Sequence, residues 1–424
     1  MIMQRLRRAV LSYVQEIRGF NRNVRLLLIA SVLSSLTLGI FTVEFNLYIL
    51  SLGIKVDVLG VILSAGPFAH ALGAIPIGFL SEVIGYKKTF LIVYLLAGLS
   101  QLVRVATPNV GLISAAAFIE GLVISGNFVV LLPFLAANVG DSGRTHVFSV
   151  NSLLSSLAMA LGSLFAGYVP NLIQFISPDI TTQYRYTLYI AGALTLLAVA
   201  PVLMIKDHTL PQTSEREEKK RISLYPYLWG IDRFTAQAAI VELFIGLTVG
   251  LLNPFMNIYF LYHLGTSREF FSGVEALVFI PTIIATALGP TLAARLGIAR
   301  TMTMARYLIP VTTVVMALTT IPLAGASTYW LYKALFAVAQ PLWFAYAMDA
   351  ATPKAKVAVS AWLEITFWIG IGLAARLTGG SFAQSNYTLP FYLSAAAALV
   401  TAVLIQVFVG SRSVLHRRRG EGVS

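Results

Sequence analysis

A handful of ionisable residues interrupt long apolar runs of this chain, and they are the residues that could do chemistry. Glu44 lies in TVEFNLY, Glu120 in FIEGL, Glu242 in IVELF, Lys333 in YWLYKALF and Glu364 in SAWLEITFW. A charge at the centre of a bilayer costs on the order of 2.5–3.5 kcal/mol on insertion scales, so such residues face a cavity, pair or carry function. An acid in that setting is a candidate to hold a proton or a cationic solute. Lys333 is a candidate partner for an acid or an anionic group. His70, in AGPFAHALG, is a candidate proton relay because imidazole titrates near neutrality. Asn46, beside Glu44, is a candidate to complete a pocket. Arg104 and Arg376, near the outer ends of their runs, read as snorkelling side chains. Glu275 reads as a solvated or capping residue at a helix start.

Other chemistries find no support. There is no cysteine, and the five histidines are scattered. No HExxH, Walker A or nucleophile-elbow motif occurs, so neither an enzyme nor direct ATP drive is expected. No cofactor or metal is expected either.

The elements that must position these residues follow from composition. The 424 residues are 57% hydrophobic and only 11% charged, where soluble chains carry about 25% charged residues. A spanning helix needs about 20 mostly apolar residues. Twelve such runs are present, near 25–50, 58–81, 89–106, 110–137, 147–170, 185–205, 235–262, 270–293, 302–323, 327–350, 357–382 and 388–409. They are continuous rather than alternating, which favours helices over a membrane barrel. An even number of spans puts both termini on one side. Most Lys and Arg fall there: Arg5, Arg7, Arg8, Arg18, Arg22 and Arg25 before the first run, then Lys87, Lys88 and Arg144. The central stretch, then Arg295, Arg300 and Arg306, and finally Lys354, Lys356 and the C-terminal arginines continue the pattern. The positive-inside rule makes this side cytoplasmic. The net charge of +12 thus reports orientation, not nucleic-acid binding.

The segments divide as a basic amphipathic arm (1–24), a six-helix bundle (25–205), a polar linker (206–234) containing SEREEKKR, a second bundle (235–410) and a basic tail (411–424). An internal echo supports two halves. SEVIGYKKT (81–89) aligns with AARLGIART (293–301), which puts Gly85 and Gly297 212 residues apart. Arg144 and Lys356 stand at the same offset. Internal repeats of this kind are typical of secondary transporters. In the first copy, Gly78 permits close helix packing, Gly85 a tight loop, and Lys87 and Lys88 anchor the inner surface.

Six plus six spans with GFLSEVIGYKK after the second resembles the major facilitator superfamily over nearly the whole chain. Gly78, Glu82, Gly85, Lys87 and Lys88 match that family's loop pattern. Val83 and Tyr86 depart from it, and Ala293 and Ala294 leave the second copy without its acid. The resemblance implies an all-α membrane protein of twelve helices in two six-helix pseudo-repeat bundles. It also implies a central cavity lined by spans 1, 4, 7 and 10, and a latch in which Glu82 meets the start of span 11, at Lys354 and Lys356, when the inner gate closes. GSLFAG (162–167) faintly resembles the family's antiporter signature but lacks its proline and one glycine, and reads more safely as helix packing.

The resulting expectation is a monomeric, proton-coupled secondary transporter of a small organic solute in the cytoplasmic membrane, working by alternating access. Drug-like export is the first reading and uptake of a sugar or other metabolite the alternative. A channel is the reading from another class.

Overall fold

The computed structural model describes residues 19–139, 144–206, 231–352 and 355–420. The amphipathic arm up to Arg18, most of the linker and Lys354 lie outside the described residues. The first six helices are α1 (Arg22–Ser51), α2 (Val56–Ile84), α3 (Tyr86–Ala106), α4 (Val110–Asn138), α5 (Arg144–Ile173) and α6 (Ile180–Leu203). The next six are α7 (Arg233–His263), α8 (Arg268–Leu296), α9 (Ile298–Leu318), α10 (Pro322–Ala350), α11 (Lys356–Ala383) and α12 (Leu389–Gly420). Among the described residues, ten helices are long and apolar enough to cross a membrane. The other two expected runs, on α4 and α10, are helices of 29 residues each.

Two compact units form, one of Met1–Tyr48 and Leu72–Glu217, the other of Ile49–Ala71 and Glu218–Ser424. Helix α2 is therefore divided. Its first half packs in the second unit, against α11.

Each unit has its own apolar core. Val24, Leu27, Phe90, Phe134, Val150 and Val202 are among the buried residues of the first, and Val241, Ile245, Met302, Trp343, Val359 and Leu363 of the second. Small residues let helices cross closely where hydrocarbon offers no drive to associate. A Cβ on Gly162 of α5 would collide with the backbone of Leu36 on α1, and one on Gly370 of α11 would lie 2.5 Å from the Leu243 carbonyl oxygen on α7. Gly162 and Ser163 are thus occupied by packing, and the Ser163 hydroxyl donates to the Gly39 carbonyl.

Local features recur between the units. Asn21 caps α1 through the Val24 N–H, and Asp232, 211 residues on, caps α7 through the Thr235 N–H. The Tyr48 hydroxyl donates to the Val105 carbonyl at 2.6 Å, and the Tyr259 hydroxyl to the Met316 carbonyl at 2.6 Å. Gly85 (φ 86°, ψ 159°) and Gly297 (φ 87°, ψ 145°) join successive helices in the same conformation, a region essentially restricted to glycine. Helix α7 is the least regular. Pro254, which has no N–H to give, sits in a 3-10 turn at Asn253–Phe255, and a π turn follows at Tyr259–His263.

Arg306 departs from the expectation of a solvated cytoplasmic cation. The break at Gly297 is a single residue, so α9 already starts at Ile298, four residues before the expected run, and carries Arg306 more than two turns in, where it is only 2% exposed.

Candidate functional site

In the first unit, one carboxylate organises the interior. Glu120 on α4 is buried. Gln101 on α3 donates to its Oε1 at 2.8 Å, and Arg104, one turn further along α3, pairs with its Oε2. Residues three apart share a helix face, so both donors reach the same acid. The Arg104 guanidinium lies 3.9 Å from the ring centroid of Phe45 and 5.4 Å from that of Phe41, both on α1, a cation–π arrangement. The snorkelling expectation for Arg104 is therefore wrong: its head is held inward by an acid and two aromatic faces. Glu44 is fully buried, and Asn46 is buried beside it in sequence.

In the second unit, Glu242 on α7 is fully buried. Its Oε1 accepts from Gln340 Nε2 and its Oε2 from Trp343 Nε1, each at 2.7 Å. These donors again sit three apart, on α10. Arg306 Nη2 donates to Gln340 Oε1 at 2.5 Å, and its guanidinium lies 5.1 Å from the Phe336 ring centroid. The Gln340 amide thus accepts from the cation and donates to the acid. Among the described residues, Arg306 Nε and the Tyr332 hydroxyl are buried without a hydrogen-bond partner. Buried polar atoms without partners are uncommon and call for an explanation.

Lys333 belongs to a separate cluster. Its Nζ lies 5.3 Å from the Tyr329 ring centroid, and the Tyr329 hydroxyl donates to Glu275 Oε2 at 3.0 Å. Glu275 is buried, which overturns its reading as a solvated residue: α8 turns it inward, where a tyrosine replaces water as donor.

His70 and Glu364, far apart in sequence, are brought together. His70 Nε2 lies 3.3 Å from Glu364 Oε1, and Trp368 Nε1 donates to the same oxygen at 2.7 Å. Trp362 and Thr366, which bracket Glu364 in sequence, line an apolar groove with Thr235, Ala239, Ile240 and Leu243 of α7.

The loop motif is placed as follows. Gly78 is half-buried and its carbonyl accepts from the Ser81 hydroxyl. Glu82 sits exposed in the last turn of α2, Gly85 forms the turn, and Lys87 and Lys88 open α3. Lys356 is exposed at the first residue of α11.

The family model described as Major Facilitator Superfamily matches residues 27–375. The chain belongs to the Major Facilitator Superfamily. Among relatives, "Uncharacterized MFS-type transporter YfkF" of Bacillus subtilis (strain 168) is 26% identical over 121 residues, covering 28% of this chain and 30% of that one. "Putative metabolite transport protein YncC" of the same organism is 26% identical over 194 residues, 44% of this chain and 40% of that one. The matches therefore span less than half the length of these curated relatives. In structure, this superfamily member is similar to a variant of the nucleoside transporter NupG, with TM-score 0.76, 13% identity, and coverage of 91% of this chain and 99% of that one. It is similar also to a D-xylose-proton symporter, with TM-score 0.68, 14% identity, and coverage of 90% and 97%. At such identities the likeness is one of fold.

The sequence reading missed Gln101, Arg306 and Gln340 as functional candidates, whereas Trp343 on the tenth run was readable as an aromatic that could complete a pocket. A glutamine inside an apolar run is as costly to leave unpaired as it is easy to overlook, and Gln-x-x-Arg and Gln-x-x-Trp were its readable signs.

Proposed function

We propose that this transporter moves a small polar organic solute by alternating access and couples that movement to protons. It would work as a monomer of twelve spans in two six-helix pseudo-repeats, with both termini cytoplasmic. The recurring caps, tyrosine hydrogen bonds and glycine turns at offsets of 211 or 212 residues support the repeat. One observation carries the coupled-transport reading: each unit encloses a buried acid held by polar side chains of a neighbouring helix, Glu120 by Gln101 and Arg104, Glu242 by Gln340 and Trp343. A purely structural bundle gains little from such groups in hydrocarbon, whereas a proton- or solute-binding interior requires them.

Uptake of a metabolite is favoured over drug export by a specific observation. Gly162 and Ser163, the residues that faintly resembled an antiporter signature, are engaged in packing on α1. Structural neighbours named as a nucleoside transporter and a D-xylose-proton symporter lean the same way.

Proteoliposomes containing the purified protein test this reading. A panel of nucleosides, pentoses, organic cations and organic anions is supplied, with Glu120→Gln and Glu242→Gln alongside the parent. Solute-driven proton movement that one of these variants abolishes is the expected result. Saturable solute counterflow with no proton movement would overturn the coupling and leave a uniporter. Non-saturable flux would replace the transporter by a channel.

A further inference from the structure

Helix α2 crosses α11 within the second unit, and the crossing is close at one end. A Cβ on Gly60 would lie 2.9 Å from the Ala375 carbonyl oxygen and 2.9 Å from the Gly379 Cα. Further along, the Phe68 ring fills the space over Gly372. The other end of the crossing is polar. There the His70 and Trp368 rings stack with centroids 4.0 Å apart and planes 26° apart. His70 and Trp368 share one oxygen of Glu364. His70 is nearly inaccessible, at 4% side-chain exposure, whereas Glu364 is 38% exposed. One residue beyond His70, α2 passes from the second unit to the first.

We infer that His70 and Glu364 form a proton-binding pair at the α2–α11 crossing, with Trp368 stacked on the imidazole as its reporter. The half-open carboxylate gives the proton a way in, and the buried imidazole gives it a place to stay. With neutral His70 the link to Glu364 is a hydrogen bond from a neutral ring to a carboxylate. The proton turns it into an ion pair, which adds Coulomb attraction between two charged partners to a bond that the carboxylate already strengthens. The crossing is therefore held harder when the proton is bound, at the point where α2 leaves one unit for the other.

The charged groups on the helices packed around the pair are few. On α7, Glu242 is within reach of the Glu364 charge, and it is occupied by Gln340 and Trp343. Asp232 and Arg233 stand at the start of α7, and Lys333 and Asp349 on α10. Helix α12 has no charged residue between 389 and 410, and α11 itself carries Lys356 and Arg376 near its ends. Asp57 and Glu82 lie near the two ends of α2, and on α4, which packs behind Gly73, Glu120 is paired with Arg104.

The inference deepens the proton-coupled reading and rests on it only for the use made of the proton. It is tested first without any solute. A protonated imidazole stacked on an indole quenches its fluorescence, so tryptophan emission is titrated on the full chain in nanodiscs from about pH 8 to about pH 5, the range over which histidines change charge. The parent should show a stepwise loss of emission. That step should be absent from W368F, which retains the other four of five tryptophans, and from H70Q, which keeps a side-chain donor. E364Q, which keeps an acceptor oxygen but removes the counter-charge, should flatten the step over the same range. A step that survives intact in H70Q overturns the pair, as does a flat titration of parent protein that melts cooperatively. In proteoliposomes, solute-driven proton flux lost in H70Q supports the pair as a coupling site. Absence of that flux from the parent, with the fluorescence step present, would sink proton coupling while leaving the proton site standing.

Discussion

The acids of the two units are gripped in parallel ways by different chemistry. Glu120 meets Gln-x-x-Arg on α3, and Glu242 meets Gln-x-x-Trp on α10. In the first unit the cation touches the acid directly, so the charges neutralise each other on the spot. In the second, Arg306 is kept one residue away, and Gln340 stands between cation and anion. An acid that takes a proton beside a guanidinium abandons an ion pair. An acid held by an amide and an indole gives up only hydrogen bonds from neutral donors. On the proposed proton-coupled reading, the first arrangement would act as a lock and the second as the more exchangeable site. This shifts the weight of the proton-site candidates from Glu120 towards Glu242.

The comparison can be broken most severely at Arg104. Arg104→Leu leaves Glu120 buried and unpaired, which should cost about 3–5 kcal/mol and lower the thermal midpoint in detergent strongly. Adding Glu120→Leu to that variant should recover most of the loss, because an apolar pair of similar volume is tolerated where a lone charge is not. Failure of that rescue would mean that Glu120 does more than balance Arg104.

Gln340→Leu probes the relayed arrangement. It removes a donor from Glu242 and the acceptor of Arg306 together, each left unsatisfied at about 1–3 kcal/mol. Gln340→Glu should behave differently: it places an anion beside Arg306 but also a second carboxylate against Glu242 in place of its amide donor, so the two acids must share a proton. Solute-driven proton flux that falls while the melting temperature holds would sharpen the distinction between lock and exchangeable site.

A smaller pair of changes asks whether the units share their turns energetically as well as geometrically. Gly85→Ala and Gly297→Ala each force a Cβ into a glycine-only backbone region, at about 1–3 kcal/mol. The two should shift the melting midpoint by similar amounts, and a clear inequality would mark one turn as supported by contacts that the other lacks.

The mildest effect is expected at the start of α6. The Asp179 carboxylate accepts from the Thr182 hydroxyl at 2.6 Å and from the Thr182 N–H at 2.9 Å. These bonds, with the Thr182 hydroxyl first, hold its pKa below the ordinary value. A carboxylate so depressed stabilises the fold at every pH above its unfolded value, about 3.9, and loses that contribution as pH falls through its lower folded value. Asp179→Ala should therefore speed amide exchange in the first turn of α6 at neutral pH and make no difference in strong acid.

Much of this molecule is legible in a linear reading because a bilayer imposes one simple rule. Backbone groups in hydrocarbon must bond within their own segment, so apolar runs of sufficient length declare themselves as helices. The runs at 110–137 and 327–350 illustrate this, lying on α4 and α10 even though each carries a charged residue. The candidates Glu44, Glu120, Glu242 and Glu364 were readable for the same reason, since a carboxylate in such a run has no neutral explanation. The Tyr48 and Tyr259 bonds recur at one offset, a likeness present in the letters Asn-x-Tyr on α1 and α7 but hidden by the unlike residues around them. Arg104, Arg306 and Glu275 were misread because their depth was judged from the distance to a run's end. A long side chain near a helix end can turn either way, and only its neighbours decide which.

The sequence by itself thus determined the membrane-embedded helices, the superfamily resemblance and the buried acids, because these depend on composition and period along one strand of chain. Tertiary structure decided the partners. Gln101 and Arg104 closing on Glu120, Gln340 standing between Glu242 and Arg306, and His70 meeting Glu364 across 294 residues all require helices to cross at particular faces. The physical reason is that hydrophobic periodicity specifies which segments leave water, whereas the satisfaction of a buried polar atom depends on geometry within about 3 Å. That geometry is set by where glycines let helix backbones approach.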